Sequence, residues 1–414
     1  MTLFYILTLI LPVNLGQHFI TTEAYVRARL IDYLVPTIWF QDILILGILI
    51  FAVLKKKFNP PKKWLRLALV FLAIFLPSVF VGGNFVASAY FFIRLALYVL
   101  FALFIISNIK PNRDFPKIIK LISISVLFLG VLAIFQWRTQ RSVFNNYLAF
   151  GEQPYNSTTF NIARVSIFDQ LKIPAYGTFR HPNTFGGFLA IALFWIYSEL
   201  HLGKKSNILK LAFLSGFTGL VLTFSQVAMV SLFLSMVFFL AIRHFGKKGV
   251  LLSILTTFAI FTLALFLPLI SNHNQLSDDP SIYRRTNLLK SSYQMLDENP
   301  VFGVGLNNFT IALQNYLPPT QVLVFNQPVH NMFVLISSES GIFALVVFLS
   351  LLVMTAITLL NHSFGYPAVL FITILQFFIL GSLDHYLYTS HQTQILFWLT
   401  VGLALAYTDR DAQV

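Results

Sequence analysis

SAYFFIRLALYVLFALFIIS, residues 88–107, decides the fold: 20 residues carry one charge, Arg94. A mostly apolar run of about 20 residues is what an α-helix needs to cross the hydrocarbon of a bilayer. Working outward, eleven more such runs appear: Thr2–Ile20, Leu34–Leu54, Leu65–Val81, Ile118–Gln136, Thr184–Leu202, Ile208–Phe224, Val227–Ile242, Val250–Ile270, Asn331–Leu360, Pro367–Ser382 and Ile395–Tyr407. The first and last are the weakest. Composition agrees, because 57% hydrophobic residues, 10% charged and a mean hydropathy of +0.77 do not describe a soluble globule, whose charged fraction is roughly 25%. We therefore expect an all-α polytopic integral membrane protein with about 12 transmembrane helices, a single membrane domain over 1–414.

Charge placement orients the spans. Lys55–Lys57 with Lys62, Lys63 and Arg66, then Lys110, Arg113 and Lys117, then Lys204 and Lys205, then Arg243, Lys247 and Lys248 fall in alternate links, as cytoplasmic loops should. Both termini fall on that side. The formal net charge of +13 thus reports orientation and not a nucleic-acid partner. Thr2–Leu15 lacks a basic leading region and a cleavage signal, so we expect a retained span. Without a cysteine anywhere in the chain, neither disulfides nor thiolate chemistry is available.

The opposite side holds short links and two long loops, 136–185 and 271–329. These are the expected functional surface, because both carry basic residues on the side that should be poor in them: Arg138, Arg141, Arg164, Lys172 and Arg180 in the first, Arg284, Arg285 and Lys290 in the second. Long loops translocate largely regardless of charge, so the topology survives and the arginines ask for another reason. Guanidinium groups suit phosphate and diphosphate through bidentate hydrogen bonds; the plain alternative is solvated charge. In the second loop, Ser277-Asp278-Asp279-Pro280 starts a helix, and Ile282, Leu289, Tyr293 and Leu296 recur at helical spacing before Asn299-Pro300 and Gly303 end it. We expect an amphipathic helix near the outer membrane face.

His330, at the start of a span, is a candidate for proton exchange or a local cap. Arg94 within its span is costly in hydrocarbon and should meet a structural partner, Asp42 or Glu339. His273, His362, His385 and His391 show no spacing that argues for a metal, and no phosphate-binding glycine loop is present.

Four stretches resemble the O-antigen ligase and polymerase family of bacterial envelope glycan enzymes. They are Gly177-Thr178-Phe179-Arg180-His181-Pro182-Asn183; Arg285 followed fifteen residues later by Pro300-Val301-Phe302-Gly303-Val304-Gly305; His330-Asn331 with Gly341 beyond; and Leu222-Thr223-Phe224-Ser225-Gln226, where Gln226 departs from the family's usual arginine. Ala344 also departs from the usual pattern. The resemblance implies a GT-C-like fold and transfer of a preassembled glycan from a polyprenyl (undecaprenyl) diphosphate carrier to a lipid, glycolipid or glycan acceptor hydroxyl, on the extracytoplasmic face of the bacterial plasma membrane, with no cofactor, nucleotide or metal. By that resemblance His330 and Arg285 are catalytic, Arg285, Arg180, Arg164 and Arg284 bind diphosphate, and Asn183, Asn331 and Gln226 are motif positions. Ligase and polymerase both fit this pattern. A transporter or flippase is the alternative from another class, disfavoured by few midspan charges and no visible half-to-half symmetry.

Overall fold

The computed structural model describes residues 1–203, 206–270, 280–317, 327–360, 362 and 364–407. Each of the twelve apolar runs holds a helix: α1 (Thr2–Leu9), α2 (Phe40–Leu54), α3 (Lys62–Phe75), α4 (Phe85–Asn108), α5 (Pro111–Thr139), α6 (Pro182–Leu202), α7 (Asn207–Leu222), α8 (Gln226–Phe245), α9 (Lys247–Ile270), α11 (Met332–Leu360), α12 (Tyr366–Leu383) and α13 (His391–Leu405), with α10 (Pro280–Glu298) inserted before α11. Among the described residues seven of them, α4, α5, α6, α8, α9, α11 and α12, are long and apolar enough to cross a bilayer, and α2 and α7 are shorter apolar helices. The chain is a polytopic, integral membrane protein.

The first run differs from expectation. α1 has eight residues, about 12 Å at 1.5 Å per residue, and Pro12 and the extended chain beyond it stop the helix. Carbonyls released among apolar neighbours need donors. Gln41 Nε2 donates to Ile10 O at 3.2 Å and Leu11 O at 3.3 Å, and Gln392 Nε2 donates to Pro12 O at 2.9 Å. The chain then continues into a segment whose two ends, 16–20 and 34–39, fall within the first two expected spans but which is extended instead. β1 (Gly16–His18) pairs antiparallel with β4 (Thr37–Trp39), and β2 (Tyr25–Val26) with β3 (Arg29–Leu30). This segment lies over one end of the bundle.

Lysine-rich links collect at the other end: Asn108 donates to Lys57 O at 3.0 Å and Tyr407 Oη to Asn112 Oδ1 at 2.7 Å. α6 and α12 run through the middle, buried along most of their length.

In the first long loop, β5 (Val165–Ile167) and β6 (Gln170–Lys172) form a hairpin. Buried Gln136 is its anchor: Nε2 donates to Glu152 Oε1 at 2.7 Å and Gly177 O at 2.8 Å, and Oε1 accepts from Gly177 N at 2.8 Å. In the second loop, α10 begins at Pro280 as expected, while the capping residues 277–279 lie outside the described residues. Leu288, Leu289, Ser292 and Met295 form its buried face, and Tyr293 Oη donates to Leu265 O of α9 at 3.2 Å.

α11 is broken at Gly341, whose φ of 81° lies in the left-handed region that glycine adopts without strain. Ile342 N turns to Pro300 O at 2.8 Å, while Ser338 O and Glu339 O, freed from the helix, accept Val304 N at 2.8 Å and Gly305 N at 3.0 Å. A Cβ on Gly341 would collide with the Val301 carbonyl. The two glycine motifs of the second loop and α11 therefore form one joint, which fixes where α10 ends relative to His330.

Candidate active site

His330 stands between two cavities. The first, about 190 Å³, is polar and lies under the 16–39 segment; Tyr33, Trp39, Arg94, Arg180, His181, Asn183, Asn307, His330, Asp384 and His385 are among its lining. The second, about 280 Å³, is lined by Ile260, Leu263 and Ala264 of α9, Arg285 and Leu289 of α10, and Val329, His330, Asn331, Ser382 and Leu383. Leu263 is 58% exposed, so this cavity adjoins an apolar outer flank.

Asn331 locks His330 in place. Its Oδ1 accepts Phe333 N and Val334 N, both at 3.0 Å, capping α11, as an N-cap side chain does. Its Nδ2 donates to Ser382 O at 2.9 Å, tying the start of α11 to the end of α12. That tie brings His330 Nδ1 to 3.4 Å from Asp384 Oδ1, within ion-pair reach but not aligned as a hydrogen bond. Asn183 Nδ2 donates to Asp384 Oδ2 at 3.3 Å and His385 N to Oδ1 at 2.8 Å. His181 Nδ1 accepts Asn183 N at 3.1 Å, capping α6. His385 Nδ1 is 2.8 Å from Thr389 Oγ1.

Burial works to raise the Asp384 carboxyl, yet facing His330, and then His385 and Arg285, hold it well below the usual carboxylate range. Interaction with these facing groups, His330 first, outweighs desolvation here. Burial pushes the His385 imidazole down to about 3, against the pull of Asp384. His181 is lowered as well, first by burial. At neutral pH the site thus holds an anionic Asp384 with neutral His385 and His181 around His330.

On the far wall of the polar cavity, Arg180 lies 5.2 Å over the Trp39 ring and 3.4 Å from His18 Nδ1, while His391 stacks on the other face of Trp39 at 3.7 Å. The Arg180 Nε has no hydrogen-bond partner. Arg94 meets Tyr90 Oη at 2.7 Å and Gln394 Oε1, and Asp42 instead accepts from Tyr98 Oη at 2.6 Å. Among the described residues the ion pair expected between Arg94 and Asp42 or Glu339 is thus replaced by neutral partners. Glu339 accepts Phe309 N at the glycine joint.

The residues singled out from sequence divide cleanly. His330, Arg180 and Asn183 share the polar cavity, and His330, Arg285 and Asn331 the second. Arg284 is half-buried and lines neither cavity. Arg164 is exposed, donating to Ser157 O at 2.7 Å, and Gln226 is exposed at the start of α8. Neither lines a cavity, so Arg164 is not placed to replace charge missing at Gln226. Sequence reading missed Asp384 and the extended 16–39 segment, quoted His181 within a motif without giving it a role, and named His385 only to set it aside. The available signal was Asp384-His385 directly beyond a span, where two ionisable residues at a helix exit are costly without a use.

Against curated proteins no match is found. The O-antigen ligase family model matches residues 211–349, a stretch running from α7 into α11 that holds Gln226, Arg285, the glycine joint and His330 but leaves out Gly177–Asn183. Over that stretch the chain is similar to the O-antigen ligase family.

Proposed function

We propose that the protein transfers a preassembled glycan from a polyprenyl-diphosphate carrier to an acceptor hydroxyl on the outer face of the plasma membrane, in the manner of a ligase. The match to the O-antigen ligase family model supports an O-antigen ligase or polymerase-like, glycan-processing role and lipid-linked glycans as the general substrate class. The observation that carries the finer reading is His330 at the wall between two cavities, the first ringed by several charged and polar side chains and the second flanked by apolar residues of α9. A lipid-linked donor suits the second cavity, where the isoprenoid lies against the apolar flank of α9 and the diphosphate meets Arg285. An acceptor suits the polar cavity beside Arg180.

In this reading His330 Nε2 takes the proton of the acceptor hydroxyl while Asp384 steadies the Nδ1–H side of the ring. The acceptor oxygen bonds to the sugar carbon as the carbon–oxygen bond to diphosphate breaks, and the leaving diphosphate keeps the electron pair. Arg285 neutralises the charge that grows there, the kind of stabilisation worth most in a water-poor site. Holding both substrates across one wall supplies positioning. The proton has a defined acceptor and the diphosphate arrives activated, so no nucleotide and no metal is assigned a step.

The test uses the full chain in nanodiscs with polyprenyl-diphosphate-linked oligosaccharide, candidate acceptors and EDTA, and no nucleotide. A single transfer product, lost in His330→Ala and Arg285→Ala, is expected. A ladder on the carrier lipid makes the protein a polymerase. Transfer that survives both substitutions removes the site assignment.

A further inference from the structure

Side chains from two separate stretches of the chain, His330 and the adjacent pair Asp384-His385, meet beside the polar cavity with the donor set of a metal site. Among the described residues, ligand atoms of His330, Asp384 and His385 all lie within 4.8 Å of one another. His330 Nδ1 is 3.4 Å and His385 Nε2 3.9 Å from Asp384 Oδ1. Ligands at tetrahedral corners around zinc, with bonds of about 2.0–2.1 Å, stand about 3.4 Å apart. The two contacts to Asp384 are at or close to that spacing, and the two imidazoles, within 4.8 Å, must draw together by up to about 1.4 Å to reach a tetrahedral edge at these bond lengths.

Each is also oriented from behind, as metal ligands are. Thr389 Oγ1 donates to the His385 carbonyl and lies 2.8 Å from His385 Nδ1. Nδ1 is therefore the donating nitrogen, and Nε2 presents its lone pair toward Asp384. The Asp384 carboxylate is fixed through both oxygens, by Asn183 Nδ2 and the His385 amide. His330 Nε2 is 3.1 Å from the Gln327 side-chain amide, while its Nδ1 is buried and without a hydrogen-bond partner. A buried polar atom left unsatisfied calls for an explanation such as an ion.

We propose that His330 Nδ1, His385 Nε2 and Asp384 Oδ1 bind one divalent transition-metal ion, zinc by preference, with its fourth position open to the cavity. Two imidazoles and one carboxylate favour zinc and its neighbours over magnesium or calcium, which take oxygen ligands. Metal binding and proton acceptance at His330 exclude each other. As a base, the ring keeps its hydrogen on Nδ1 toward Asp384 and offers Nε2. As a ligand it offers Nδ1, and its hydrogen moves to Nε2 beside Gln327. The metal-bound protein is thus an inhibited form; this consequence rests on the transfer reading above, whereas binding does not.

The experiment strips the full chain in nanodiscs with chelator, titrates it with Zn²⁺ against a chromophoric competitor, and records the visible spectrum of the Co²⁺ form. One equivalent and the bands of a four-coordinate site are expected for wild type and for His201→Ala, whose ring lies against Tyr197 away from the site. His385→Ala should lose both. Thr389→Val keeps all three ligands and removes only the oxygen that orients His385, so it should weaken binding about 10- to 100-fold, a result that survives if His385→Ala fails to fold. Wild-type binding no tighter than in Thr389→Val and His385→Ala, or equal loss in His201→Ala, overturns the site. Zn²⁺ at one equivalent should abolish transfer, and transfer unchanged by bound metal overturns the exclusion. A metal-free preparation that never transfers glycan removes the transfer reading alone, because the titration needs no turnover.

Discussion

At the scale of single residues, the site turns on how His330 is held. Asp384 faces its Nδ1 at 3.4 Å, and loss of a positioned general base costs roughly 10²–10⁴-fold in rate. His330→Ala should fall by that range in turnover, measured as product per minute at saturating donor. Asp384→Asn keeps the shape and removes the charge, so turnover should fall while the donor KM stays nearly constant, because Asp384 faces the imidazole and does not line the cavity that holds Arg285. Arg164→Ala and Gln226→Ala, both exposed and outside the cavities, should keep wild-type turnover; a tenfold loss in either would return it to the site. Here legibility differed by residue. His330, Arg285, Arg180 and Asn183 were visible because motif spacing flags them, whereas Asp384 and His385 lie more than 50 positions from His330 and meet it where α11 packs on α12, tied by the Asn331 to Ser382 bond.

At the scale of elements, the joint between Asn299–Leu306 and Gly341 sets the distance from α10 to the start of α11. A left-handed conformation costs a non-glycine residue of order 1–3 kcal/mol, and the Val301 carbonyl occupies the space a Cβ needs. Gly341→Ala should therefore lower the thermal unfolding temperature and reduce transfer together. Asn331→Ala removes an N-cap, a loss of about 0.5–2 kcal/mol, and frees His330 from α12. Its transfer rate should drop far more than its unfolding temperature does, and the reverse pattern would mean that Asn331 is structural only. The existence of these helices was readable from apolar periodicity, and α10 starts at the proline that announced it. Where α1 stops was not readable, since Pro12 lies within an apolar run and the donors that make the break tolerable, Gln41, Ser125, Thr178 and Gln392, come from distant parts of the chain.

At the scale of the whole molecule, basic links gather at one end and both long loops with the 16–39 segment at the other. The absence of cysteine makes sidedness simple to test. A membrane-impermeant maleimide should label Leu148→Cys, 77% exposed in the first loop, from outside intact cells, and Lys56→Cys only after permeabilisation. Labelling of both from outside, or neither, removes the proposed orientation. What the sequence determined by itself is the solvent, the run of apolar helices, the two long loops and the motif residues, because hydropathy, charge alternation and short spacing are local properties of the chain. Only the tertiary structure decided that Asp384 and His385 complete the His330 cluster, that a polar and a half-apolar cavity share His330 as a wall, and that residues 16–39 lie over the site. Those are contacts between segments from about 50 to more than 300 residues apart, set by how helices pack, and no local pattern records them.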